Sequence, residues 1–334
     1  MTAEVIEFPA VVKTTDAAEV VEVSASPTLV AATTRQLPWA GIATGKAEDG
    51  ELLTSAQMLE RANLNWDVGI RPFMRAKMDG SIVPSKKMFE TYRFDTEDEL
   101  GAVRSRYEVL QNREAFEFGD SLIQSGRGRW AEAGMQNGGT RVFMTMLLND
   151  QFTILGQEPF QTYLFLGLGH DGGRSLRGFV TPIRVSCTNQ TVAVKANNLG
   201  SFTIQHTASI RDRLENVGDM LRQTEEYQVA LREEAELLVA TTVTEDTARY
   251  LVTSLIPQTR SKREQMIEDI LSNLKNSPNL EGHRGDGWGL VNAASEYMQH
   301  QKTQRSGNAR FEAISFGEGA KLAKGLVREL AYLN

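Results

Sequence analysis

The sequence predicts an α+β protein with a central antiparallel β-sheet, a long amphipathic helix and a C-terminal helical part. Three observations carry this. Strand-like runs punctuated by glycine fill the middle of the chain, between Gly126 and Thr207. Apolar residues then recur on an alternating four-three register from Ile210 to Leu238. From there to Leu333 only helical patterns follow, each with its own start signal or apolar period.

Taken in order, residues 1–35 are rich in Ala, Val, Thr and Glu with no sustained period, and read as a disordered tail. Their early acids and missing basic stretch do not describe a secretory signal. Order begins at Pro38–Gly45. Ser55–Leu64 predicts a short helix capped by Ser55, with Met58, Leu59 and Ala62 facing inward. The segment from Trp66 to Val103 reads as strands turned at Asp79-Gly80 and near Asp95–Asp98. Asn112–Ile123 reads as a helix capped by Asn112. Strands are expected over Arg141–Leu148, Thr162–Gly169, Leu176–Cys187 and Ser201–Thr207.

In the long helix, Leu214, Val217, Leu221, Leu231, Ala235 and Leu238 form the apolar stripe, interrupted by Thr224 and Gln228. Thr242 with Glu245, and Ser261 with Glu264, have the spacing of capping boxes for two further helices. Gly287–Gln301 and Gly317–Leu333 supply two more. The expected organisation is a tail (1–35), an α+β core (36–240) and a helical region (241–334).

Composition narrows the function classes. The 334 residues are 41% hydrophobic and 24% charged, ordinary for a globular protein. No run approaches the roughly 18 apolar residues of a membrane span. The single cysteine, Cys187, excludes an internal disulfide and suits a reducing cytoplasm. The net charge of −7 argues against a surface that binds nucleic acid all over. Within it, residues 121–210 carry seven cations and four acids, a local excess of three positive charges. The seven are Arg127, Arg129, Arg141, Arg174, Arg177, Arg184 and Lys195. Aromatics interleave with them, among them Trp130, Phe143, Phe165 and Phe179. Guanidinium groups along a groove neutralise phosphates, and exposed rings stack bases without reading sequence. The bland alternative is that strand aromatics are core and strand arginines pair with acids.

Other motifs carry less. Gly167-x-Gly169-x-x-Gly172 matches a dinucleotide-binding fingerprint, but a strand-like segment with Pro182 follows where a helix is required, so a hairpin tip is the better reading. His170, His206, His283 and His300 have no metal-ligand spacing. The acidic runs Asp95–Glu99 and Glu233–Glu236 read as solvated turns or faces. No phosphate loop or nucleophile elbow occurs, and no cofactor is implied.

A set of phrases in order resembles one family, the phage/plasmid-like proteins that carry a domain of unknown function. They include Pro38-Trp39, Arg71-Pro72, Gln111-Asn112, Gly138-Gly139-x-Arg141, Pro182-x-Arg184-Val185-x-Cys187-x-Asn189, His206-Thr207 and Gly287-Trp288-Gly289-Leu290. Two positions depart from the pattern: Gln205 stands where a basic residue is common, and Gln190 where threonine is usual. The resemblance implies a phage or plasmid protein acting in a bacterial cytoplasm, distantly related to single-strand annealing proteins. The resulting expectation is a non-catalytic protein that binds single-stranded DNA and promotes annealing as a homo-oligomeric ring or filament. The alternative is a regulatory or counter-defence protein that binds a host protein.

Overall fold

In chain order, the first strands and helices of the computed structural model are β1 (Ala43–Lys46), α1 (Ser55–Arg61), β2 (Val68–Ala76), β3 (Ile82–Arg93) and β4 (Glu99–Arg104). Next come α2 (Asn112–Phe116), α3 (Asp120–Gln124), β5 (Gly128–Gln136), β6 (Arg141–Leu148), β7 (Phe152–Ile154), β8 (Glu158–Gly169), β9 (Leu176–Arg184) and β10 (Ser201–Ile204). The helices α4 (Gly218–Ala240), α5 (Glu245–Leu255), α6 (Arg263–Asn276), α7 (Gly287–Glu296), α8 (Gly307–Ser315) and α9 (Glu318–Ala331) complete it. The structure describes residues 37–149, 152–154, 158–173, 176–184, 201–204 and 218–333. The expected tail, the strand ends beyond Arg184 and Ile204, and the start of the long helix lie outside these residues, as do Cys187 and His206.

The α+β class and the antiparallel sheet are as expected. Seven strands form one sheet in the order β1-β5-β6-β8-β9-β10, with β7 also paired to β8. A second, three-stranded sheet runs β2-β3-β4. Every pairing is antiparallel.

Alternation decides what each face of the large sheet does. On one face Trp130, Met144, Met146, Leu164, Leu166 and Val180 enter the main core with residues of α1–α3, α4–α7 and α9. Phe160 of β8 meets Trp288 of α7 at 6.4 Å between ring centres. Every residue of α7 is buried. Truncating a buried Trp such as Trp288 to Ala costs about 3–5 kcal/mol. On the opposite face Trp39, Ile42, Phe143, Tyr163, Phe165 and Ile183 form a smaller cluster with Phe311 of α8.

Local chemistry moves several helix starts from where the sequence placed them. Thr54, not Ser55, caps α1: its hydroxyl accepts from the Gln57 amide, and Gln57 accepts from the Thr54 amide. Ser55 instead donates from its amide and hydroxyl to Asp120, at 2.7 and 2.8 Å. Gln111, not Asn112, stands at the cap, Asn112 is the first residue of α2, and the expected single helix breaks into α2, a 3-10 turn and α3. At Gly119 in that turn, a Cβ would stand 2.4 Å from the Trp130 indole, so only glycine admits the ring. Thr244, not Thr242, caps α5. Lys262, in the left-handed conformation, precedes α6 without a side-chain cap, so Ser261 has no such role.

Candidate functional site

Two neighbouring features meet at the turn after β8. The glycine pattern there is a hairpin: β8 ends at Gly169, Gly172 has φ of +69°, and β9 returns antiparallel. The turn is anchored from several sides. Thr91 of β3 donates its hydroxyl to the His170 carbonyl at 2.6 Å. The buried His170 ring meets the Asn112 amide oxygen at 2.9 Å and the Trp66 indole edge-on at 5.6 Å. Arg93 lies over Trp66, 4.5 Å from the ring centre, and is gripped by Asp95 at 3.0 and 2.6 Å. The Tyr107 hydroxyl is directed at the Gly169 carbonyl at 3.5 Å, and burial followed by the Asp171 charge holds its pKa well above the usual phenol range. Gly101 of β4 touches the turn so closely that a Cβ would lie 2.5 Å from Asp171 Cα.

The first feature is a cleft on the smaller-core face of the sheet, roofed by α8. Its cavity volume is about 50 Å³. Phe143, Phe165, Phe179, Phe311 and Phe316 wall it, with Gln136, Arg141, Arg177 and Glu312. Phe165 is the hub, 4.9 Å from Phe179 and 5.0 Å from Phe311, both near parallel. Arg141 is held by Glu312 at 3.1 Å and by Asp171 at 3.6 Å.

The second feature is an arm made of β2 and β3. β4 pairs with β3 only between Met88 and Tyr92, so the distal part is a two-stranded ribbon. Register places Ile70, Pro72, Met74 and Ala76 with Ile82, Pro84 and Phe89 on one face. Met74 and Ile82 there are 61% and 66% exposed. Arg71 and Arg75 fall on the other face with Val83 and Glu90. Residues 71–89 contain five cations (Arg71, Arg75, Lys77, Lys86, Lys87) and one acid, Asp79. Arg71 is paired with Glu90 and stacks on Tyr92 at 4.4 Å. Among the described residues, no ion pair involves Arg75, Lys77, Lys86, Lys87 or the neighbouring Arg104. The basic stretch of the arm escapes a reading that counts charge only over 121–210.

Of the seven residues singled out in the sequence, the five that are described do not line one groove. Arg174 and Lys195 lie outside the described residues. Arg184 is 4% exposed on the main-core face and donates to the Asn279 carbonyl at 3.0 Å, so it faces helices and not solvent. Arg129, Arg141 and Arg177 do share the opposite face. Arg129, however, pairs with Asp49 at 2.5 Å and sits opposite Leu147 of β6, six residues along the strand from Arg141. That separates the two levels by about 20 Å at ~3.3 Å per residue. Arg127 and Arg177 are exposed. Arg177 is thus the described member of the set that reaches solvent beside the cleft.

The chain belongs to a family defined by a domain of unknown function, DUF932, whose model matches residues 99–315. The matched stretch takes in the cleft residues Gln136, Arg141, Gly167 and Phe311, whereas β2 and β3 precede it. No curated protein and no solved structure matches the chain.

Proposed function

We propose that the protein binds single-stranded DNA without catalysis and promotes pairing of complementary strands, as a phage or plasmid recombination protein of the bacterial cytoplasm would. The observation that carries this reading is the arm. Four of its cations have no acidic partner among the described residues, and they sit on an exposed ribbon in a chain of net charge −7. Solvated lysine and arginine side chains of this kind release counterions when they meet phosphates, and need no base contact to do so. Arg177 at the cleft rim is a further exposed cation, on the body of the protein. Assembly of several copies would multiply weak sites along one strand.

The test is fluorescence anisotropy of a labelled single-stranded oligonucleotide over a salt series, followed by addition of its complement. The wild-type protein should bind at low salt and accelerate annealing. Replacing Arg75, Lys77, Lys86 and Lys87 by Ser should weaken binding and flatten the log–log salt slope by up to about 2.8, at ~0.7 per phosphate contact. No binding at low salt, or an unchanged slope in the variant, would sink the proposal. The exposed Met74 and Ile82 favour the second reading, a host protein as partner, and it would then lead.

A further inference from the structure

We infer that the phenylalanine cleft is a slot for one unstacked nucleobase, taken by its flat face and by an acceptor on its edge. The inference rests on the single-strand reading above and adds to it a base-binding site separate from the phosphate-binding arm.

The slot is lined by two glycines of β8, Gly167 and Gly169. Gly167 of β8 lies between Phe143 of β6 and Arg177 of β9 in register, on the face that Phe311 covers. Gly169, two residues on along that face, is also without a side chain, and the Phe165 ring leans to within 3.1 Å of where a Gly167 Cβ would stand, so the slot lies beside these two glycines under a wall of rings. The gap of about 50 Å³ holds about three to five waters at ~10–15 Å³ each. That suits the edge of a single ring and is too small for a whole nucleotide. Phe316, 40% exposed, and Arg177 form the rim through which a base would enter.

The polar groups specify what enters. Gln136 is 5% exposed, and its amide nitrogen finds no acceptor among the described residues. The Nε of Arg141 is also buried without an acceptor. Both residues line the cleft and stand opposite each other in the β5–β6 register. Two stranded donors call for acceptor atoms such as the carbonyl oxygens of a pyrimidine. A phosphate is the wrong guest, because Asp171 and Glu312 already more than neutralise Arg141. A neutral, planar, carbonyl-bearing ring meets both the aromatic walls and the donors.

The experiment compares an oligothymidylate with an abasic oligonucleotide of equal length, both by anisotropy. Wild-type protein should prefer oligothymidylate by about 5- to 160-fold, the range of base–aromatic stacking. Gly167→Val, which fills the slot, and Gln136→Leu, which removes one donor, should each bring that ratio toward one and leave abasic binding unchanged. A wild-type ratio near one, with the abasic strand bound, would overturn the slot and leave the single-strand reading standing. Survival of the ratio in both variants would also overturn it. Failure of both strands to bind would remove the slot together with the reading beneath it.

Discussion

Gly307→Ala tests how the roof of the cleft is seated. Glycine to alanine within a helix ordinarily stabilises by up to about 1 kcal/mol. Here the opposite is expected. A Cβ at Gly307 would stand 2.2 Å from the Gly41 carbonyl oxygen and 3.1 Å from its Cα, both backbone atoms. Ordinary carbon–oxygen contact needs roughly 1 Å more, so the start of α8 or the Gly41 turn must move. Overpacking of this kind costs about 1–3 kcal/mol. With an unfolding entropy of about 2.1 cal/mol/K per residue over ~300 residues, each kcal/mol lowers Tm by about 1.6 °C. Thermal unfolding followed by circular dichroism should show a fall of about 2–5 °C. Gly282→Ala is the control, since nothing lies within 4 Å of its Cβ position. It should leave Tm unchanged or slightly raised. A Gly307→Ala protein as stable as wild type would mean that α8 does not sit against Gly41, and the cleft would lose its roof.

Two further outcomes follow from buried polar groups. Glu132 is 6% exposed, and burial raises its carboxyl pKa, with Lys46 at 3.9 Å pulling the other way. A raised folded pKa means the folded state holds the proton more tightly, so this stability is full below the ordinary carboxyl pKa of ~4.3 and is lost as pH rises through the folded value. Glu132→Gln should therefore raise Tm at pH 7 to 8 and lose that advantage toward pH 4, and a gap that stays constant with pH would refute this. Asn112 is 1% exposed, donates to the Leu64 carbonyl at 2.9 Å and meets His170 at 2.9 Å. Asn112→Ala should cost about 1–3 kcal/mol, read as a lower urea midpoint at unchanged slope, and an unshifted midpoint would show that this bond does not anchor the turn.

What the sequence disclosed depended on how far each signal reaches along the chain. Strand β6 was legible to the residue, and the β8–β9 hairpin followed from Gly-rich spacing, because both signals are local. Strand β5 was missed. A bulge between Trp130 and Glu132 breaks its alternation, and Ala133 and Gly134 are both buried. Helix α8 was missed because it begins at a glycine and buries only Phe311 and Ile314, too few for a periodic stripe. Without α8 the phenylalanines of β6, β8 and β9 had no visible roof. Helix caps slipped by one or two residues wherever several hydroxyls stood together, as at Thr54-Ser55 and Thr242–Thr244. The partners of Arg141 were illegible for a different reason: Glu312 is 171 residues away in sequence.

That distance explains why a count of charges misplaced the basic surface. The window 121–210 carries three excess positive charges, yet Arg129 is matched by Asp49 and Arg141 by Asp171 and Glu312. Asp49 and Glu312 lie outside the window, so folding brings in the compensation that the window omits. The Arg129 pair therefore sends into solvent a field close to that of a neutral group, and the Arg141 cluster carries a net negative charge. At ~0.1 M salt either field is further screened beyond roughly 10 Å. The arm has the reverse bookkeeping. Of its acids, Asp79 accepts from the Ser81 amide and hydroxyl within the turn and Glu90 pairs with Arg71, while Arg75, Lys77, Lys86 and Lys87 stay unpaired among the described residues. A polyanion approaching this protein therefore meets the potential of the arm before that of the sheet. The sheet face contributes rings and hydrogen-bond donors, which act at contact distance. On the proposed function this is a division of labour: the arm would capture the backbone and the cleft would receive a base.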